Sequence, residues 1–455
     1  MKPFEDFIER RRDGILAELI EFLRIPSVST QSKFDSECHK AATWLADHLR
    51  ALGCSPVRLE GSDTHPVVVA EGPAVSDKPT VLVYGHYDVQ PPDPLGLWKT
   101  PPFEPTVQDG NLVARGATDD KGQVFAIIKA FEAVSANGQP PVNVRFLIEG
   151  QEESGSEVIT SLLGENPEYV KADAVLVADM PYYAKGQPAV YTALRGLCYC
   201  EISVTTLEGD LHSGLYGGTA PNAHETLVRI LAALKSPNGK IKIPGLYDAV
   251  EAPTKQEKAA WSKLKFNERE YVRSELGARA IAGSKHRSVF EKTWALPTFE
   301  IHGIVGGFTE EGAKTVIPAV ATAKVSLRLV PKQRVKAVER QLRAAIKELT
   351  PPFAKVKVTF LNGGDPVRTD IEAKPVELIS KAFKEIVGRR AVPIRSGGSI
   401  PIIPLLAKKN APIVLAGIGL PDDRLHAPNE KIGLDQFWDG VAVFGRFFER
   451  MGGLQ

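Results

Sequence analysis

The sequence predicts an α/β fold interrupted by a smaller α+β layer, and three observations predict it. In the first half, short apolar runs alternate with helical patterns, as they do when strands and helices pack in layers. The same pairing of run and helix returns near the C-terminus. Between them the chain changes character and alternates apolar with polar residues, like strands with one exposed face. At 455 residues the chain is too long for one ordinary core, so two or three domains are expected.

Taken in order, residues 4–23 alternate charged and apolar positions at helical spacing and contain no continuous apolar stretch of signal-peptide type. Residues 80–84 (Thr-Val-Leu-Val-Tyr) read as a buried strand that stops at Gly85-His86. A helix is expected over 122–134 and a second strand over 142–148, ending at Glu149-Gly150. A third strand, 174–177, stops at Ala178-Asp179. In the middle, 197–205 and 321–329 are half-exposed strands, 333–349 a helix and 355–360 another strand. A charged, helix-prone segment, 254–279, reads as an insertion there. A last strand, 412–416, precedes a loop and an amphipathic helix over 435–450. The expected domains are therefore 1–193 with 368–455, discontinuous, and 194–367 between them.

The formal net charge is +1, from 56 basic and 55 acidic residues. Nucleic-acid and membrane surfaces need a clustered basic excess, so neither partner is expected. No segment approaches the roughly 20 apolar residues of a membrane span. Four cysteines do not make a disulfide framework, and Cys198 and Cys200 fall on one face of a strand as small buried residues. The cytoplasm is the expected location.

Ligands in open α/β sheets bind at the carboxyl ends of strands. Here those ends carry His86 and Asp88, then Glu152 and Glu153, then Asp179, and His426 in the loop after the last strand. Asp119 and Asp120 stand immediately before the 122–134 helix. Singly, each has an ordinary explanation: a turn residue, a helix cap, or solvated surface. Together, two histidines and several carboxylates on one sheet edge would repel unless cations neutralise them. Mixed imidazole and carboxylate ligands suit zinc, and also manganese or cobalt. A two-metal site also needs a base that is not a ligand, and adjacent Glu152 and Glu153 offer one of each.

At these residues the sequence resembles the carnosinase, aminoacylase and acetylornithine deacetylase family of co-catalytic metallopeptidases, above all its cytosolic carnosinase-like dipeptidases. The matching strings are Gly85-His86-Tyr87-Asp88-Val89-Gln90, the run from Arg115 to Gly122, and the run from Glu149 to Ser156. Further on come Asp210-Leu211-His212-Ser213-Gly214, Ser326-Leu327-Arg328-Leu329-Val330-Pro331 and Gly397-Gly398-Ser399-Ile400-Pro401. The resemblance spans nearly the whole chain. It implies a zinc-exopeptidase-like catalytic domain with a central mixed sheet, interrupted by a lid and dimerisation domain. It further implies two divalent metal ions per subunit: one on His86, Asp119 and Asp179, the other on Asp119, Glu153 and His426. Asp88 would hydrogen-bond His86, and Glu152 would be the general base for a metal-activated water. A cis peptide bond is implied at Asp119-Asp120. The flanks of Asp179 match less well than the other motifs, and an Asp there leans toward peptidase rather than deacylase.

Read without the family, His212 is a loop histidine and Arg328 a surface cation. The resemblance instead implies that His212 reaches a neighbouring subunit's site to stabilise an oxyanion. It has Arg328 meet a substrate carboxylate, in a pocket completed by Thr315, Gly398 and Ser399. A homodimer through the middle domain, with closure between domains, follows from it. The expected reaction is hydrolysis of a dipeptide, with N-acyl amino acid deacylation as the alternative. A non-catalytic scaffold is the third reading, set against the presence of all five ligands and Glu152. There is no His-Glu-x-x-His, no Gly-x-Ser-x-Gly elbow and no phosphate-binding loop; His224-Glu225 reads as helix surface.

Overall fold

Six strands form the sheet that positions the acidic and histidine residues. The computed structural model describes residues 3–136, 138–408 and 411–454. Two compact units emerge: one comprises the chain up to Thr192, Thr369–Ile394 and the chain from Ile400 on, the other Ala193–Arg368 and Arg395–Ser399. The five residues 395–399 group with the second unit although their neighbours on both sides belong to the first.

In the first unit the sheet order is Val57–Glu60, Val67–Glu71, Asn143–Glu149, Thr80–His86, Ala174–Val177, Ile413–Leu415. The first two pairings are antiparallel and the last three parallel, so the sheet is mixed. The four parallel strands are almost wholly apolar because helices cover both faces. Lys121–Ser135 is buried along nearly all its length, and Pro3–Leu23 and Leu434–Gly452 share one core with it. Phe131 lies at the centre of that core, edge-on to Phe146 at 5.7 Å and to Phe448 at 6.3 Å. Two of these strands end one or two residues beyond the stretch expected from the apolar run, because Gly85-His86 and Glu149 continue the ladder, with His86 opposite Glu149; the strand 174–177 has the expected limits and the last, Ile413–Leu415, is shorter than expected. The register therefore carries polar side chains to the end of a buried strand.

The second unit has an antiparallel sheet in the order Thr298–Gly306, Val320–Leu329, Gly196–Thr205, Lys355–Gly364. Helices Ala223–Leu234 and Val335–Leu349 pack on one face. Cys198 and Cys200 point into that core, unpaired. The expected insertion forms helix Lys255–Trp261 and short turns after it. Among the described residues no helix is long and apolar enough to cross a membrane.

Phe131→Ala removes a buried ring from contact with two others. It is expected to destabilise the first unit by about 3–5 kcal/mol, read by chemical denaturation; a loss below about 1 kcal/mol would show that the surrounding helices close the gap.

Candidate metal centre

All the strand-end residues singled out in the first unit converge. His86 closes its strand with its ring fully buried. Its Nδ1 stands 3.0 Å from the Asp88 carbonyl oxygen and 3.3 Å from the Asp88 carboxylate, which turns Nε2 toward Asp119 Oδ1 at 3.2 Å. The other oxygen of Asp119 is 2.9 Å from His426 Nε2, and Glu153 Oε1 is 3.3 Å from the same nitrogen. Asp119 thus faces a different histidine with each oxygen. Ligand atoms of His86, Asp119 and Asp179 all lie within 4.8 Å of one another, and so do those of Asp119, Glu153 and His426.

Local structure explains how these side chains are aimed. Glu152 and Glu153 occupy the single turn Glu152–Ser154, whose amides donate to Asp88: Glu152 N–H to Oδ1 at 3.2 Å and Glu153 N–H to Oδ2 at 3.1 Å. Ser29 Oγ donates to Asp88 Oδ2 at 2.6 Å. Asp88 therefore does more than face His86; it ties that strand end to the Glu152-Glu153 turn. Gln90 Nε2 donates to Glu153 Oε2 at 2.7 Å, leaving Oε1 toward His426. His426 adopts a left-handed backbone (φ 58°), as do Arg424 and Asn429 in the same loop. Such conformations cost a non-glycine residue about 1–3 kcal/mol and concentrate at functional sites. The Asp119-Asp120 peptide bond is cis. Asp120 precedes helix Lys121–Ser135 without capping it; its carboxylate accepts the His86 amide at 3.3 Å instead.

The electrostatics are those of a site built for positive charge. Burial pushes the Asp179 carboxyl well above the usual range, with repulsion from Asp119 and Asp120 adding to it. Burial does the same to Glu152 and Asp120. For Asp119 burial acts upward too, but the imidazoles of His426 and His86 facing its two oxygens outweigh it and hold the carboxyl below its ordinary value. Burial alone would lower His86, yet Asp119 and Asp88 keep its pKa well above the histidine range. Hydrogen bonds to Asp119 and Glu153 push His426 up to about 10. His86 Nε2 is buried without a hydrogen bond. Imidazole and carboxylate donors of this kind, held close and short of positive charge, fit divalent cations. A further group, Glu18, His48 and Glu132, does not, because Arg11 and Lys129 already neutralise its carboxylates.

One residue that matters here escaped the sequence reading. Glu430 is fully buried and accepts four hydrogen bonds: from the amides of Gly116, Thr118 and Asp119 at 3.0 Å each, and from Arg115 Nη1 at 2.7 Å. It gathers the loop that carries Asp119. The only hint in the sequence is its place four residues after His426.

The remaining candidates belong to the second unit. Arg328 Nη1 donates to Ser399 Oγ at 3.2 Å, and no carboxylate pairs with Arg328 among the described residues. Burial lowers its pKa. His212 pairs with Val316 in a two-stranded ladder, and Ser213 N–H donates to the Thr315 carbonyl at 3.1 Å, so His212 and Thr315 are neighbours. His212 is exposed, and its Nδ1 accepts the Gly214 amide at 3.1 Å. His224 and Glu225 lie in the first turn of helix Ala223–Leu234.

The sequence profile of peptidase family M20/M25/M40 matches residues 82–450. The chain is 33% identical to the Cys-Gly metallodipeptidase dug1 of Schizosaccharomyces pombe, over 96% of each chain. It is 32% identical to the Beta-Ala-His dipeptidase of Homo sapiens, over 98% of this chain and 91% of that one. The solved M20 family metallo-carboxypeptidase Sso-CP2 from Sulfolobus solfataricus superposes with a TM-score of 0.87 at 30% identity, covering 97% of this chain and 99% of that chain.

Glu430→Gln replaces an all-acceptor carboxylate with an amide whose NH2 would face donors. It is expected to weaken divalent-cation binding about 10–100-fold, measured by competition with a chromophoric chelator; unchanged affinity would mean that the Asp119 loop holds itself.

Proposed function

This chain belongs to peptidase family M20/M25/M40, and on that premise we propose that it is a dinuclear metallodipeptidase with Glu152 as general base. The observation that carries the reading is the shared carboxylate: Asp119 stands between two ligand groups with one histidine at each oxygen. His86, Asp119 and Asp179 would hold one cation, and Asp119, Glu153 and His426 the other. Zinc suits these ligands, with manganese or cobalt accepted by the same set. Bound there, a cation pair supplies Lewis acidity that polarises an amide carbonyl and acidifies water.

Every other task falls to the chain. The Glu152 carboxylate makes no hydrogen bond or ion pair among the described residues, so it is free to take a proton from the attacking water. It passes that proton to the amine nitrogen as the carbon–nitrogen bond breaks, releasing two amino acids. Arg328, with Ser399, Gly398 and Thr315, holds the substrate's terminal carboxylate; a partly buried guanidinium without a counter-ion among the described residues supports this. His212 serves the partner subunit's site. Its Nδ1 accepts an amide N–H, which leaves the proton of the neutral ring on Nε2, the donor an oxyanion needs.

A homodimer through the second unit follows. Thr298–Gly306 is an edge strand, and it exposes Ile301, Ile304 and Val305, the last at 65%. An apolar open edge of this kind invites pairing with another copy. Relatives named as dipeptidases favour an unblocked dipeptide over an N-acyl amino acid. Four buried, unpaired cysteines support a cytoplasmic setting.

Purified metal-loaded protein is expected to hydrolyse a panel of unblocked dipeptides and to leave N-acetyl and N-succinyl amino acids intact; the reverse preference would sink the dipeptidase reading. Glu152→Gln should lower kcat by about 10²–10⁴-fold with metal stoichiometry unchanged, as elemental analysis reports. Chains carrying His212→Ala and chains carrying Glu152→Gln, each nearly inactive, should regain about a quarter of wild-type activity when mixed and reassembled, since half the dimers then hold one intact site. No recovery would exclude a composite site.

A further inference from the structure

We infer that the ion pair between buried Arg395 and half-buried Glu257 is a positioning device for the carboxylate-binding loop, an inference that rests on the role given above to Arg328 and Ser399. The loop is Arg395-Ser396-Gly397-Gly398-Ser399, the same five residues that leave the first unit to join the second. Two adjacent glycines give it little stiffness of its own. Two backbone hydrogen bonds hold it, Ser396 N–H to the Ala193 carbonyl at 2.8 Å and Arg195 N–H to the Gly398 carbonyl at 2.9 Å, and within it Gly398 N–H donates to Ser396 Oγ at 2.9 Å. Its last residue, Ser399, presents Oγ to Arg328.

The side chain that anchors its first residue is Arg395, only 2% exposed. Arg395 Nε and Nη2 both reach Glu257 Oε1, at 2.8 and 2.6 Å, and Nη2 reaches Oε2 at 2.7 Å. The guanidinium lies 5.6 Å from the centre of the Trp261 ring. Glu257 is itself fixed, because its Oε2 accepts the Thr254 amide at 2.8 Å in the capping box that starts helix Lys255–Trp261. The chain of constraint runs from a helix cap, through a planar multi-bonded ion pair, into the start of a glycine-rich loop, and ends at a hydroxyl on the carboxylate-binding arginine. A surface ion pair of ordinary kind contributes little. This one is shielded from water and directional, so it restricts where Ser399 can stand before substrate arrives. The inserted segment 254–261 thereby acquires a role in substrate affinity.

The test compares two inhibitors of the metal-loaded enzyme: a dipeptide isostere with a methyleneamine in place of the scissile amide, and the same compound as its C-terminal amide. Glu257→Gln keeps the capping box, since glutamine serves at that position, and removes the charge. Arg395→Lys keeps the charge and loses the fork. In both variants the inhibition constant of the acid is expected to rise on the order of tenfold, while that of the amide stays within about twofold. Arg328→Met is the reference and should abolish the preference for the acid. If Arg328→Met leaves that preference intact, the carboxylate reading falls and this inference with it. If Arg328→Met abolishes it but the other two variants leave it unchanged, or weaken both inhibitors equally, the carboxylate reading stands and the positioning role is refuted.

Discussion

Asp119, Asp120, Glu152 and Asp179 stand close together out of water, and the first unit is organised around the charge this concentrates. Burial, and then mutual repulsion, makes full ionisation of the group unfavourable, as the upward displacement of Asp120, Glu152 and Asp179 shows. Protons relieve the problem one carboxylate at a time and turn acceptors into donors. A divalent cation relieves it for several ligands at once and uses their lone pairs. The facing of Asp119 toward two histidines selects the second solution, because it creates two ligand sets with one shared member.

Such an arrangement needs a scaffold that does not relax when the charges repel. The parallel strands supply the coarse part, since their carboxyl ends share one edge and His86 is locked opposite Glu149 by register. The fine part comes from carboxylates that bind only protein donors. Asp88 collects two amides and a hydroxyl, Glu430 three amides and a guanidinium, and Glu149 the hydroxyls of Tyr84 and Ser156. Carboxylates accepting several N–H or O–H groups are directional staples. Here they tie protein groups together rather than hold a cation.

This division explains what was legible in the sequence. The core strands were readable because apolar runs of that length have few other uses, and their ends located His86, Glu153 and Asp179. The loop after the last strand supplied His426, and Asp119 came from the segment before the 122–134 helix, which no strand end would have given. Strand limits were short by one or two residues because His86 and Glu149 are polar yet paired in the ladder. Glu430 was not legible, since the amides it serves lie more than 300 residues away in sequence. Arg395 and Glu257 were hidden for the same reason: a partner 138 residues distant leaves no local pattern. The separation of 395–399 from its flanks had no compositional mark beyond two glycines.

A buried acid's role can be decided by counting what donates to it, and the same rule separates otherwise identical residues. Glu152 and Glu153 are neighbours of one type, yet Glu153 accepts from Gln90 and faces His426 while the Glu152 carboxylate receives no donor among the described residues. Asp88 and Asp119 both attend His86, yet Asp88 is filled by amides and a hydroxyl while Asp119 meets only imidazoles. A carboxylate that accepts three or four N–H and O–H groups has little lone-pair capacity left for a cation or a proton in transit. One that meets only imidazoles, or no donor, keeps that capacity and is costly to bury for any other purpose. By this criterion Asp119, Asp179 and Glu152 are chemically available acids of the site, and Asp88 and Glu430 are the structure that keeps them available.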